Sequence, residues 1–108
     1  MASSVFRVML RMHVKPGMAG DFERVWREVG HSVTGDPANL GQWLSRSAEE
    51  EDIYYIVSDW TGELEFRRFE TSERHVEHRQ KLHPYRIGGS MTTMTVVAHL
   101  AGTAVSVE

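Results

Sequence analysis

The residues richest in chemistry cluster in Arg74 to Arg86, RHVEHRQKLHPYR, which holds three arginines, a lysine and three of the chain's six histidines. His75 and His78 stand three apart, a spacing that puts two side chains on one helix face, and His83 or Glu77 could add a metal ligand. No cysteine and no second carboxylate motif completes such a set, so the cluster reads as a solvated or pocket-edge helix face and no metal is expected. A nucleic-acid surface fits no better, because Glu70, Glu73 and Glu77 interleave with the arginines and no aromatic residue joins them before Tyr85. Phosphate binding would want a glycine-rich loop at a helix start. Nucleophilic catalysis would want an activated serine in a G-x-S-x-G turn, and the sequence has neither feature. A small-molecule pocket remains, with Trp60 and Arg79 as its first candidates. Each also has a plainer reading, Trp60 as core and Arg79 as a surface charge.

The elements that must position these residues follow from periodicity. Val5 to Val14 alternates, with Phe6, Val8, Leu10, Met12 and Val14 on one face and Arg7, Met9, Arg11 and His13 on the other, which is a strand with one apolar side. Lys15-Pro16-Gly17 breaks it, and Phe22, Val25, Trp26, Val29 and Val33 line one stripe of a helix expected from Met18 to Val33. Gly41 to Ser47, GQWLSRS, reads as a short strand, and the acidic run Glu49 to Asp52 as a hairpin loop. IYYIVSDW, Ile53 to Trp60, is the strongest strand signal, with Tyr54, Ile56, Ser58 and Trp60 on one face and Ile53, Tyr55, Val57 and Asp59 on the other.

Thr61 is a candidate N-cap for a helix carrying Leu64, Phe66 and Phe69, and Ser72 with Glu73 starts another that reaches about Leu82. Pro84, Gly88 and Gly89 are read as its end. Met91 to Leu100 is the last strand, and residues 101–108 a loose tail. The order strand, helix, strand, strand, helix, strand is the α+β, ferredoxin-like βαββαβ pattern, an antiparallel sheet with helices on one face. The central strand is apolar on both sides, so the bare sheet face calls for a second copy and a homodimer is expected.

The 108 residues suffice for a single domain with a core over about 5–100. The net charge of −3, from 12 Lys plus Arg against 15 Asp plus Glu, lacks the positive field of a nucleic-acid binder. The absence of cysteine excludes thiol catalysis and fits a reducing cytoplasm. No signal peptide or membrane span is expected, since the N-terminal stretch carries Arg7, Arg11 and His13 among its hydrophobes.

VKPGMAGDFERVWREV, PANLGQWLSRS, YYIVSDWTGELEFRRF and SERHVEHRQKL, in that order, resemble the antibiotic biosynthesis monooxygenase superfamily from Val5 to about Leu100. The ending HPYRIGGSMTTMTVV is similar to small proteins of bacterial aromatic polyketide clusters, including those for spore pigments. The resemblance implies a dimeric ferredoxin-like barrel. It also implies oxygenases that use no flavin, haem or metal and turn an anthrone-type carbon into a quinone carbonyl with molecular oxygen as co-substrate.

On this resemblance the family's pocket tryptophan falls on Trp60 and its pocket arginine on Arg79. An asparagine that some of these oxygenases carry is replaced here by Ile56, and a pocket tyrosine by Phe66. Tyr54 or His78 would accept a proton, and Tyr54, Ile56, Phe66 and Phe69 would contact the substrate. Haem-degrading members use a first-strand asparagine, missing here, and a tryptophan where Phe69 stands. The function expected is a cofactor-free monooxygenase tailoring an aromatic polyketide. A cyclase-like or chaperone role in the same pathway is the alternative, with haem degradation or a non-catalytic binding module behind it.

Overall fold

A computed structural model describes residues 4–105. Strand β1 spans Phe6–Val14, helix α1 Ala19–Val29, the short helix α2 His31–Thr34, β2 Asn39–Arg46, β3 Ile53–Trp60, α3 Glu63–Glu70, α4 Glu73–Leu82, and β4 Arg86–Thr95 after a 3-10 turn over His83–Tyr85. The four strands form one antiparallel sheet in the order β2-β3-β1-β4. This is the ferredoxin-like arrangement expected from the order of elements.

The register aligns the apolar faces. Phe6, Val8, Leu10 and Met12 lie opposite Trp60, Ser58, Ile56 and Tyr54, so the alternating residues of β1 and β3 meet on the side that the helices cover. The core there is divided. One cluster joins Phe6, Val8, Val33, Trp60, Phe66 and Phe69, and another joins Met12, Val14, Phe22, Tyr54, Ile56 and Leu82. Each such side chain contributes roughly 1.5–3 kcal/mol on burial.

The opposite sheet face is open in the protomer. Trp43 is 51% exposed there and Met94 37%. A bidentate ion pair spans β1 and β3, with Arg7 Nε and Nη2 donating to the Asp59 carboxylate at 2.7 and 2.8 Å.

Several boundaries differ from the sequence reading, β2 among them, which runs Asn39–Arg46 where Gly41 to Ser47 is expected. The helix expected from Met18 to Val33 breaks at Gly30, where a side chain would press on the Trp26 carbonyl oxygen at 3.1 Å and on Gln42 Nε2 at 3.2 Å. Gln42 Nε2 uses that space to donate to the Gly30 carbonyl at 3.0 Å. The expected cap Thr61 is not the cap: its N–H donates to the Ala38 carbonyl at 3.0 Å, and Gly62 takes the N-cap position of α3 without a side-chain bond. Ser72 does cap α4, accepting from His75 N–H at 3.3 Å.

The last strand begins five residues before Met91 and stops at Thr95. Antiparallel pairing of Thr95 with Phe6 uses up β1, and only the Val96 N–H reaches further, to the Val5 carbonyl. Gly89, read as a helix breaker, is a strand residue whose added Cβ would lie 2.7 Å from the Arg11 carbonyl oxygen. Residues 96–105 form no helix or strand, with Val97 and Leu100 almost fully exposed, and the end of the expected loose tail, 106–108, lies outside the described residues.

Candidate functional site

The gap between the two core clusters is a cavity of about 260 Å³, bounded by the helix-side face of the sheet, by α1 and by the inner faces of α3 and α4. Small-ligand sites usually begin at roughly 300 Å³. Val8, Leu10, Ile56, Val33, Phe66 and Leu82 make its apolar wall, and Gln42, Ser58, Glu70, His75, His78 and Arg79 bring polar atoms to it. Helix α4 supplies four of these by its own periodicity: His75, His78, Arg79 and Leu82 recur at helical spacing along the stripe turned toward the sheet.

His78 is 8% exposed and is held from behind. Its Nδ1 lies 3.1 Å from the Val29 carbonyl oxygen and 2.9 Å from Ser32 Oγ, at the break between α1 and α2. Helix ends leave carbonyls without intrahelical partners, and His78 and Ser32 satisfy one of them. Burial pushes the His78 pKa below its usual value, the Val29 bond opposes this, and the Lys81 charge adds to the depression.

His75 is half-buried, with its ring 4.8 Å from Phe69 and stacked 6.0 Å from His78. Burial first, then the His78 and Arg79 charges, depress its pKa to about 4 against an opposing pull from Glu70. The imidazole is neutral at ordinary pH. Its Nδ1 is shut away from solvent without a hydrogen-bond partner, as is the indole Nε1 of Trp26 on another wall of the same cavity.

Of the residues expected at the site, Arg79, His78, Ile56 and Phe66 line the cavity. Trp60, Phe69 and Tyr54 do not. Trp60 is 1% exposed and lies behind the wall, wedged against Phe66 and Phe69 at 5.4 and 4.9 Å, with Nε1 donating to the cavity residue Ser58 at 2.9 Å. Tyr54 points into the second core cluster and gives its hydroxyl to Glu23. Its pKa is pushed up to about 12, by burial first and by that bond second, and its place in the core, away from the cavity lining, leaves it out of reach of a bound substrate. Phe69 packs between Trp60 and His75.

The sequence reading missed His75 as a wall residue, together with Trp26, Gln42, Ser58 and Glu70. The signal for His75 was present, since it precedes Arg79 by four and Leu82 by seven on one helix. Gln42 and Ser58 carry no such signal; each is one polar residue at an inward strand position. Among the described residues no group of three or more His, Cys, Asp or Glu side chains could hold a metal ion, and no helix is long and apolar enough to cross a membrane.

A profile of the family described as antibiotic biosynthesis monooxygenase matches residues 5–81. The structure is similar to that of SnoaB from Streptomyces nogalater, a cofactor-independent oxygenase, at TM-score 0.80 and 19% identity over 92% of this chain and 99% of that one. In sequence the chain is 25% identical over 95 residues to protein SchA of Streptomyces halstedii, covering 88% of this chain and 25% of SchA. It thus spans a quarter of SchA's length. It is also 25% identical over 93 residues to the mycobilin-producing heme oxygenase of Mycobacterium tuberculosis, covering 85% of this chain and 89% of that enzyme.

Proposed function

Because this chain belongs to the antibiotic biosynthesis monooxygenase family, we propose that it is a cofactor-independent monooxygenase that oxidises an anthrone-type aromatic polyketide to a quinone with molecular oxygen. The observation that carries this reading is the divided core: a largely apolar cavity with Arg79 and two neutral imidazoles on its α4 wall, and Arg11 and Arg86 also among its lining residues. A fused aromatic of two or three rings matches about 260 Å³ better than a tetrapyrrole does, which supports an aromatic polyketide as the substrate in this reading.

The chemistry needs no bound redox group. A base removes a proton from the activated carbon of the substrate, and the resulting enolate is held by Arg79 in surroundings of low dielectric, where a fixed charge counts for more than in water. The electron-rich anion reduces dioxygen, and a carbon–oxygen bond forms to give a peroxide. Breaking the oxygen–oxygen bond with loss of the second hydrogen from that carbon yields the carbonyl and one water. Phe66 and Ile56 contact the rings; Trp60 supports the wall from behind through Ser58. His78 is the proton acceptor in this reading, since Tyr54 is committed to Glu23.

The open sheet face is covered, in this proposal, by a second copy of the chain, supported by the exposed Trp43 and Met94 and by the exposed apolar residues Val97 and Leu100 beyond β4. Light scattering giving a monomer at micromolar concentration would overturn that part. The cysteine-free chain is taken to work in the cytoplasm.

Oxygen uptake by the purified, chelator-treated protein with an anthrone tests the activity. A rate above buffer, with a product that has gained one oxygen and lost two hydrogens, is expected. Ile56 and Phe66 offer no amide or phenol to the cavity, which favours one second reading, a cyclase-like role. A product formed by loss of water, without oxygen uptake, would establish that reading instead.

A further inference from the structure

Two cavities lie on either side of α4, and one side chain reaches both. The inner one is the site described above. The outer one, of about 230 Å³, is a polar cleft between α1–α2 and α4 whose walls include Glu28, Ser32, Arg74, Glu77 and Lys81. His78 lines both while being 8% exposed, so its ring is part of the partition between them.

The hydrogen bonds fix how that ring is protonated. Nδ1 faces the Val29 carbonyl at 3.1 Å, and a carbonyl can only accept, so Nδ1 carries the proton of the neutral imidazole. Ser32 Oγ, 2.9 Å from Nδ1, donates its own hydrogen to the same carbonyl at 3.0 Å and presents a lone pair to Nδ1. The Nε2 lone pair is left as the free basic position of the ring. Ser32 itself lines the outer cleft, which is open to water.

We infer that His78 and Ser32 form a proton path through the wall of the site, carrying the substrate's proton from the inner cavity to the outer cleft and back. The inference rests on the oxygenase reading above and deepens it. Nε2 takes the proton as the enolate forms, Nδ1 passes its own to Ser32 Oγ, and the serine hydroxyl hydrogen leaves to water in the cleft. When the peroxide breaks down, Nε2–H protonates the departing oxygen, and Nδ1 recovers a hydrogen through Ser32. The proton count then matches the overall reaction, in which one dioxygen becomes the quinone oxygen and one water with no net proton released. His78 is the residue that touches substrate, and Ser32 is a positioning residue that acts through it.

The test is anaerobic rapid mixing of the full chain with dithranol, following the absorbance of its anion and, through an indicator dye, protons released to bulk solution. In the unaltered protein the dye is expected to keep pace with the anion. In Ser32→Ala, which keeps the His78–Val29 bond, both should slow on the order of tenfold to a hundredfold. Ser32→Thr should restore them, as should added imidazole small enough for the cleft. Ser32→Ala indistinguishable from the unaltered protein in both signals would overturn the path, as would failure of the unaltered protein to form the anion. Oxygen uptake is read separately in air. Uptake that is indifferent to Ser32→Ala defeats the path and leaves the oxygenase standing; a Ser32-dependent anion without uptake supports the path and defeats the oxygenase.

Discussion

Replacing His75 with glutamine should flatten the acid limb of the stability curve. In the folded chain the His75 pKa is depressed from 6.5 to about 4, chiefly by burial and then by the His78 and Arg79 charges. The unfolded chain therefore binds a proton at this residue more readily than the folded one does. The stability tied to the neutral ring is fully present above about pH 6.5, falls as the pH drops toward about 4, and is gone below that. A depression of that size is worth at most about 3.4 kcal/mol. The ring is only half-buried and solvent screens part of the effect, so about 1.5 kcal/mol is the appropriate expectation. Urea unfolding between pH 7.5 and 4 would measure it. The unaltered protein should lose about 1.5 kcal/mol more than His75→Gln across that interval, because the carboxylates that also titrate there are common to both. Parallel curves, or an NMR titration placing the His75 midpoint near 6.5, would refute the burial of this ring in the cavity wall.

Other substitutions probe the scaffold. Gly89→Ala puts a methyl 2.7 Å from the Arg11 carbonyl oxygen, so strands β1 and β4 must part; a loss of about 1–3 kcal/mol in urea unfolding is expected. Trp60→Phe removes the indole bond to Ser58 and part of a fully buried ring. It should cost about 1–3 kcal/mol while leaving oxygen uptake largely intact, since the indole lies behind the wall. Ser72→Ala, which deletes the only side-chain cap of α4, should lower stability by about 1 kcal/mol in the same assay.

The residues make plain why much of the fold was legible and the site only in part. The alternation in Phe6–Val14 and the β-branched run in Ile53–Trp60 set both central strands and the face that meets the helices, because a period of two allows no other assignment. Gly30 carried no such mark. It continues the apolar stripe of α1 in sequence, and only the approach of Gln42 from β2, a contact between distant parts of the chain, turns it into a break. Gly88-Gly89 misled for a related reason, since glycine in an edge strand and glycine after a helix look alike until a neighbouring carbonyl is seen to need the room. In the site, Arg79 and His78 enter through the family resemblance, and the structure puts both side chains on the cavity wall. Trp60 was assigned to the cavity because strand alternation gives the face but not the depth, and at the end of β3 that face is covered by Phe66 and Phe69. The role of Ser32 depends on a turn that the unbroken helix concealed.

The central claim is that this cavity directs dioxygen onto an aromatic carbon, with Arg79 holding the anion. It is tested most directly by incubating the chelator-treated protein with an anthrone under heavy-isotope dioxygen and weighing the product. A quinone carrying one labelled oxygen is expected from the unaltered protein, and Arg79→Ala should form it on the order of a hundredfold to a thousandfold more slowly. A product without label, or labelled quinone formed equally fast by Arg79→Ala and by buffer, would contradict it.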